Sequence, residues 1–173
     1  MANPVLQPGS LRLYTNPHDL IGCGIEIGEA LAGIGSKYYH VGIALPNNQE
    51  LAALSQGVVI GPIFQAECDI YQIDAPADKI AYALAWVQQN DVGKSYADGD
   101  LGWLWLLRRL RLRGAPWPDS QRICSWVGAD FVRKTGVDPW PGLLSCVVAP
   151  GDFDGVKGLT NIGRWTPVVP ARA

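Results

Sequence analysis

The run Ser36-Lys-Tyr-Tyr-His-Val-Gly-Ile-Ala-Leu45, closed by Pro46-Asn-Asn48, constrains this chain more than any other segment. Its β-branched and aromatic residues fit a buried strand from Tyr39 to Leu45, and asparagines after a proline tolerate the left-handed backbone of a turn. A return strand is expected over Glu50 to Ser55, so the segment reads as a hairpin. His40 opens the first strand among Tyr38, Tyr39, Val41 and Ile43. An imidazole in that position is either a satisfied core group or a base.

Further strands are expected at Leu11 to Tyr14, Gly57 to Ile60 and Ile70 to Asp74, with a last one near Gly163 to Val169. A helix is expected over Ala77 to Gln89, because Ile80, Ala83, Leu84 and Val87 recur on one face just after Pro76. Two more are expected over Leu20 to Ala32, entered at Asn16 or Asp19, and over Leu101 to Leu112, whose end carries Arg108, Arg109, Arg111 and Arg113. Val92 to Tyr96 reads as a loop. A final helix runs from about Cys124 to Lys134, capped by Asp119 or Ser120 and ended by Gly136. Gly22-Cys-Gly24 lacks the third glycine of a dinucleotide fingerprint. Helices interspersed with a central group of antiparallel strands imply an α+β fold, in one domain over 1–173.

The residue content narrows the function classes. Net charge is −2, which gives no general attraction to nucleic acid, and no apolar run approaches the roughly 20 residues of a membrane span. The first residues lack the charged and apolar regions of a secretory signal, so the expectation is a chain made as a soluble cytoplasmic protein. The oligomeric state is left open. Cys23, Cys68, Cys124 and Cys146 are scattered without zinc spacing, so neither a metal nor another cofactor is expected. The run Arg108 to Arg113 reads as a solvated helix end rather than a polyanion site.

Cys124 differs from the other three because it opens a helix. Unpaired N–H groups and the positive dipole end lower a thiol's pKa there, and the same donors can hold the oxyanion of a tetrahedral intermediate. The bland alternative is a cysteine packed beside a helix start. Only two histidines exist, and His18, in Asn16-Pro-His-Asp19, reads as an exposed helix-entry residue, which leaves His40 as the candidate base. Glu50, across the hairpin, is the nearest carboxylate that could orient the imidazole. It reads equally well as a solvated turn glutamate, since strand register is not fixed by sequence. Trp117 and Trp126 flank the cysteine segment and are candidates to wall a substrate groove.

Taken in order, Tyr-Tyr-His-Val-Gly-Ile-Ala-Leu45, Gln-Gly-Val-Val59, Val92-Gly-Lys-Ser-Tyr96, Ile-Cys-Ser-Trp-Val127 and Val-Ala-Pro-Gly-Asp152 resemble the circularly permuted branch of the NlpC-like papain-fold superfamily. That branch includes bacterial and phage cell-wall hydrolases and relatives of lecithin:retinol acyltransferase. The resemblance implies a papain-like fold with a small antiparallel sheet and the cysteine helix packed against it, and a thiol hydrolase using Cys124 and His40. It further implies an amide bond in peptidoglycan stem peptides as substrate, reached through lysis, injection or secretion. A thioesterase or acyltransferase on lipid acyl chains is the alternative, and a catalytically silent binding or phage-assembly module is a third. Two departures stand out: Trp126 and Ala52 occupy positions where that family commonly carries glutamates. Glu50, two residues before Ala52 and on the same strand face, is the candidate substitute.

Overall fold

A computed structural model describes residues 3–15, 37–97 and 119–167. The expected helices over Leu20 to Ala32 and Leu101 to Leu112, and with them His18, Cys23, the arginine run and Trp117, lie outside the described residues.

The described chain is α+β. Strands β1 (Leu11–Thr15), β2 (Tyr38–Leu45), β3 (Gln49–Leu54), β4 (Gly57–Pro62), β5 (Cys68–Ile73) and β8 (Leu159–Trp165) form a six-stranded sheet in the order β4-β3-β2-β1-β5-β8. Every pairing in it is antiparallel. A separate parallel pair joins β6 (Ser95–Tyr96) to β7 (Gln121–Arg122). The hairpin forms as the sequence implies: Asn47 and Asn48 both take positive φ, which lets β3 return beside β2 with Gly42 opposite Ala52.

Alternation along the strands sorts their side chains onto two faces. Leu11, Leu13, Val41, Ile43, Leu51, Ala53 and Val58 share one core with the apolar stripes of two helices. The stripe of α1 (Ala77–Asn90) is Ala83, Leu84 and Val87, and that of α2 (Cys124–Lys134) includes Val127, Phe131 and Val132. Helix α2 lies directly on β2. A Cβ added at Gly128 would meet Val41 Cγ1 and Phe153 Cζ at 3.0 Å, so the glycine permits this approach. The opposite parity, Arg12, Tyr14, His40, Glu50, Ala52 and Ile70, forms the other face, where Tyr14, Tyr39, Cys68 and Ile70 make a second buried cluster.

Three local expectations are corrected. The segment read as a loop over 92–96 ends in β6, and its partner β7 intervenes before the last helix. The backbone bonds Ser95 N–H to Ser120 O and Ala97 N–H to Arg122 O hold this pair. Helix α2 is consequently capped at Ile123 rather than at Asp119 or Ser120. The last strand starts at Leu159, paired with Ile73, and stops at Trp165 rather than Val169. Pro167, without an N–H, could not extend a ladder as donor. Among the described residues no helix is long and apolar enough to cross a membrane.

Candidate active site

A cleft of about 320 Å³ lies on the Glu50 face of the sheet. Half-buried His40 is in its wall with Glu50, Ala52, Leu54, Phe64 and Tyr96. His40 sits opposite Tyr14 in the β1–β2 ladder, and the two rings are 5.4 Å apart with a 44° tilt. A register shift between Tyr14 and Thr15 interrupts the ladder at this pair. Irregularities of this kind re-aim side chains and are common beside active sites.

Glu50 is not the solvated turn residue that the sequence allowed. It is only 4% exposed, and one carboxylate oxygen, Oε2, accepts hydrogen bonds from Arg12 Nη1 at 2.5 Å, the Tyr14 hydroxyl at 2.5 Å and the Phe64 N–H at 3.3 Å. Arg12 is fully buried, donates from Nη2 to Phe64 O, and stands 4.9 Å from the ring centres of both Tyr14 and Trp165. Gly42 makes room for this arrangement, since any Cβ there would overlap the Glu50 carboxylate. The second oxygen, Oε1, lies over Gly42, buried and without a hydrogen-bond partner among the described residues. Burial raises the Glu50 carboxyl above its ordinary range against the pull of Arg12 and Tyr14, and it raises the Tyr14 phenol, an effect that the neighbouring Glu50 charge strengthens. Burial works against the charge on Arg12, yet Glu50 beside it leaves the guanidinium more firmly protonated than usual.

Cys124 is the first residue of α2, buried in the core that this helix shares with the Val41 face of the sheet. Among the described residues helix α2 has no side-chain cap, and its own first turn carries no acidic residue to offset the positive end of its dipole. The next residue, Ser125, is buried with its hydroxyl unpartnered among the described residues. In the ladder His40 shares the parity of Tyr14 while α2 packs on the Val41 face, but the register shift at Tyr14/Thr15 breaks the alternation here, so that Tyr39 and Tyr14 fall in one cluster; Cys124 is not among the described residues lining the cleft. Tyr96 spans the two environments. It lines the cleft with His40 and packs against the small cluster of Ala97, Ile123 and Cys146, next to Cys124 in the chain.

The approach to Cys124 is pinned by a second buried ion pair that the sequence reading missed. Arg122 Nε donates to Asp91 Oδ1 at 2.8 Å, Nη1 donates to the carbonyls of Asp119 and Gln121, and the guanidinium lies 4.2 Å from the Trp126 ring centre. Trp126 therefore supports Arg122 and is not among the described residues walling the cleft. The other described thiols are buried as expected of apolar fillers: burial pushes Cys68 up to about 11 and raises Cys146.

Arg12 and Tyr14 were also missed as site residues, although the alternation Leu-Arg-Leu-Tyr shows that they share a face. Only the register, which sets Tyr14 against His40, reveals their place. Compared with models of known protein families and with curated proteins, the chain matches none.

Proposed function

We propose that the chain is a cysteine hydrolase of the circularly permuted papain-like kind, with Cys124 as nucleophile and His40 as base, acting on an amide bond of peptidoglycan stem peptides. The observation that carries this reading is the position of Cys124 as the first residue of an eleven-residue helix with neither a side-chain cap nor an acid in its first turn. The amides of a helix's first turn favour a thiolate in general and can hold an oxyanion formed beside them. In the proposed reaction the thiolate attacks the carbonyl carbon, and the amine departs with a proton from the imidazolium. Water, deprotonated by His40, then cleaves the thioester and returns the thiol.

The cleft wall favours a second reading. Tyr39, Ala52, Leu54, Val59, Phe64 and Tyr96 offer an apolar surface suited to an acyl chain, which supports a thioesterase or acyltransferase on lipid substrates. One experiment separates the possibilities. Wild type and Cys124→Ala are incubated with purified peptidoglycan and, separately, with acyl thioester and phospholipid, and products are analysed by mass spectrometry. Product from wild type alone is expected, and the substrate consumed decides between the two readings. Equal output from both proteins would end the thiol-enzyme reading and leave a silent binding or assembly module.

A further inference from the structure

We propose that Glu50 is a positioning residue that holds the His40 imidazole through Tyr14, with Arg12 as its counterion. This rests on the reading of His40 as the base. On β3 the position opposite Gly42 carries the methyl of Ala52. A buried carboxylate, Glu50, comes from one step further along the same face. Glu50 pairs across the ladder with Ala44, and its carboxylate reaches back over Gly42, towards His40.

The chain of contact is continuous. Arg12 and the Phe64 N–H fix Oε2, Oε2 accepts the Tyr14 hydroxyl, and the Tyr14 ring meets the imidazole at 5.4 Å. Phe64 also packs edge-on against Tyr14, with ring centres 5.6 Å apart, so one carboxylate oxygen anchors both Phe64 in the cleft wall and the Tyr14 ring beside His40. Among the described residues, the titratable groups gathered on this side of His40 include the Tyr14, Tyr39 and Tyr96 phenols, the Cys68 thiol, the Glu50 carboxylate and the Arg12 guanidinium. Stability alone would not select such an arrangement. A buried ion pair contributes little compared with apolar residues of equal volume, and Oε1 is left buried without a donor among the described residues. Departures from full satisfaction are expected where a group is held for function.

The test is NMR of the His40 ring, assigned by its loss in His40→Gln, in wild type, Glu50→Gln and Tyr14→Phe. Wild type should show a nuclear Overhauser contact between the His40 imidazole and the Tyr14 ring. Both variants should change the His40 resonances, and Glu50→Gln should move its titration midpoint to lower pH, because the Arg12 charge is then uncompensated. On the substrate found above, kcat should fall about tenfold or more with KM little changed. Arg133→Gln, which removes the Asp138 ion pair and the bonds to the Trp140 and Leu143 carbonyls at the far end of α2, should leave the His40 resonances in place, so lost stability alone does not mimic the effect. If a variant fails to fold, the wild-type contact still decides. Its absence, or unchanged His40 resonances in both folded variants, overturns the proposal. Altered His40 resonances in a protein without Cys124-dependent turnover support the positioning role and defeat only the hydrolase reading.

Discussion

Gly42→Ala tests how the buried charges are accommodated. The backbone at Gly42 is not among the positive-φ positions, so alanine is conformationally allowed and the entire effect should come from its methyl. That methyl would stand 1.6 Å from Glu50 Oε1 and 2.5 Å from Cδ, where ordinary contact begins near 3.4 Å, and the nearer oxygen must therefore move by about 2 Å. Arg12 cannot follow, because it is fully buried and tied to Phe64 O, and Tyr14 is equally enclosed. Removing one partner of a buried pair costs about 3–5 kcal/mol, and displacing rather than deleting the carboxylate should cost about 2–4 kcal/mol. For a chain of this size that is roughly 4–16 °C in Tm. In a Glu50→Ala background the methyl meets no carboxylate, and Gly42→Ala should be neutral or stabilise by about 0.5–1 kcal/mol. Urea denaturation of the four proteins gives the coupling energy, expected at about 2–5 kcal/mol. A cost below about 1 kcal/mol in wild type, or the same cost in both backgrounds, would refute the reasoning.

Asp91→Asn leaves buried Arg122 without its anion and should cost about 3 kcal/mol in urea denaturation; a loss within experimental error would show that the pair is idle. Asp69 resists the upward push of burial because Arg164, Lys37 and Tyr38 donate to it, and its carboxyl is held below the usual range. Its contribution is therefore complete above about pH 4 and is lost as pH falls towards the lower folded value. Asp69→Asn should cost about 1–2 kcal/mol near neutrality, since Lys37 and Arg164 are solvent-accessible, and should flatten the acid limb of stability below about pH 4. An unchanged acid limb, measured by urea midpoints from pH 6 to 2, would exclude Asp69 as its source. Cys68, at about 11, should label with iodoacetamide at pH 8 more than tenfold more slowly in the folded than in the unfolded protein, read by mass spectrometry. Equal rates would contradict its burial.

The elements legible in the sequence are those with their own periodicity or turn chemistry. The hairpin around Asn47 and Asn48 and the helix Cys124–Lys134 fall where they were expected, because φ-tolerant asparagines and an apolar stripe are local signals. Strands β6 and β7 have two residues each and exist only because they pair with one another across 25 residues. The start of β8 carries Thr160 and Asn161, both exposed, so no alternation announced it; pairing with β5 sets its position. The site divides in the same way. His40 and Cys124 were legible as residue types at element starts. Arg12 was not, because a charge in an alternating strand reads as solvent-facing, and here Tyr14, Phe64 and Trp165 cover that face as well. Gly42 and Ala52 acquired meaning only once register placed them opposite each other, beneath the Glu50 carboxylate.

The β5–β8 ladder has a kinetic consequence. Strand β5 is sandwiched between β1, which precedes it, and β8, which begins at Leu159, and Asn3 bonds Thr166 across 163 residues. The β2–β3–β4 meander can form early from neighbouring segments, whereas one edge of β5, which ends at Ile73, waits for a partner that begins only at Leu159 to emerge from the ribosome. High contact order of this kind slows folding and leaves that edge open to foreign strands during synthesis.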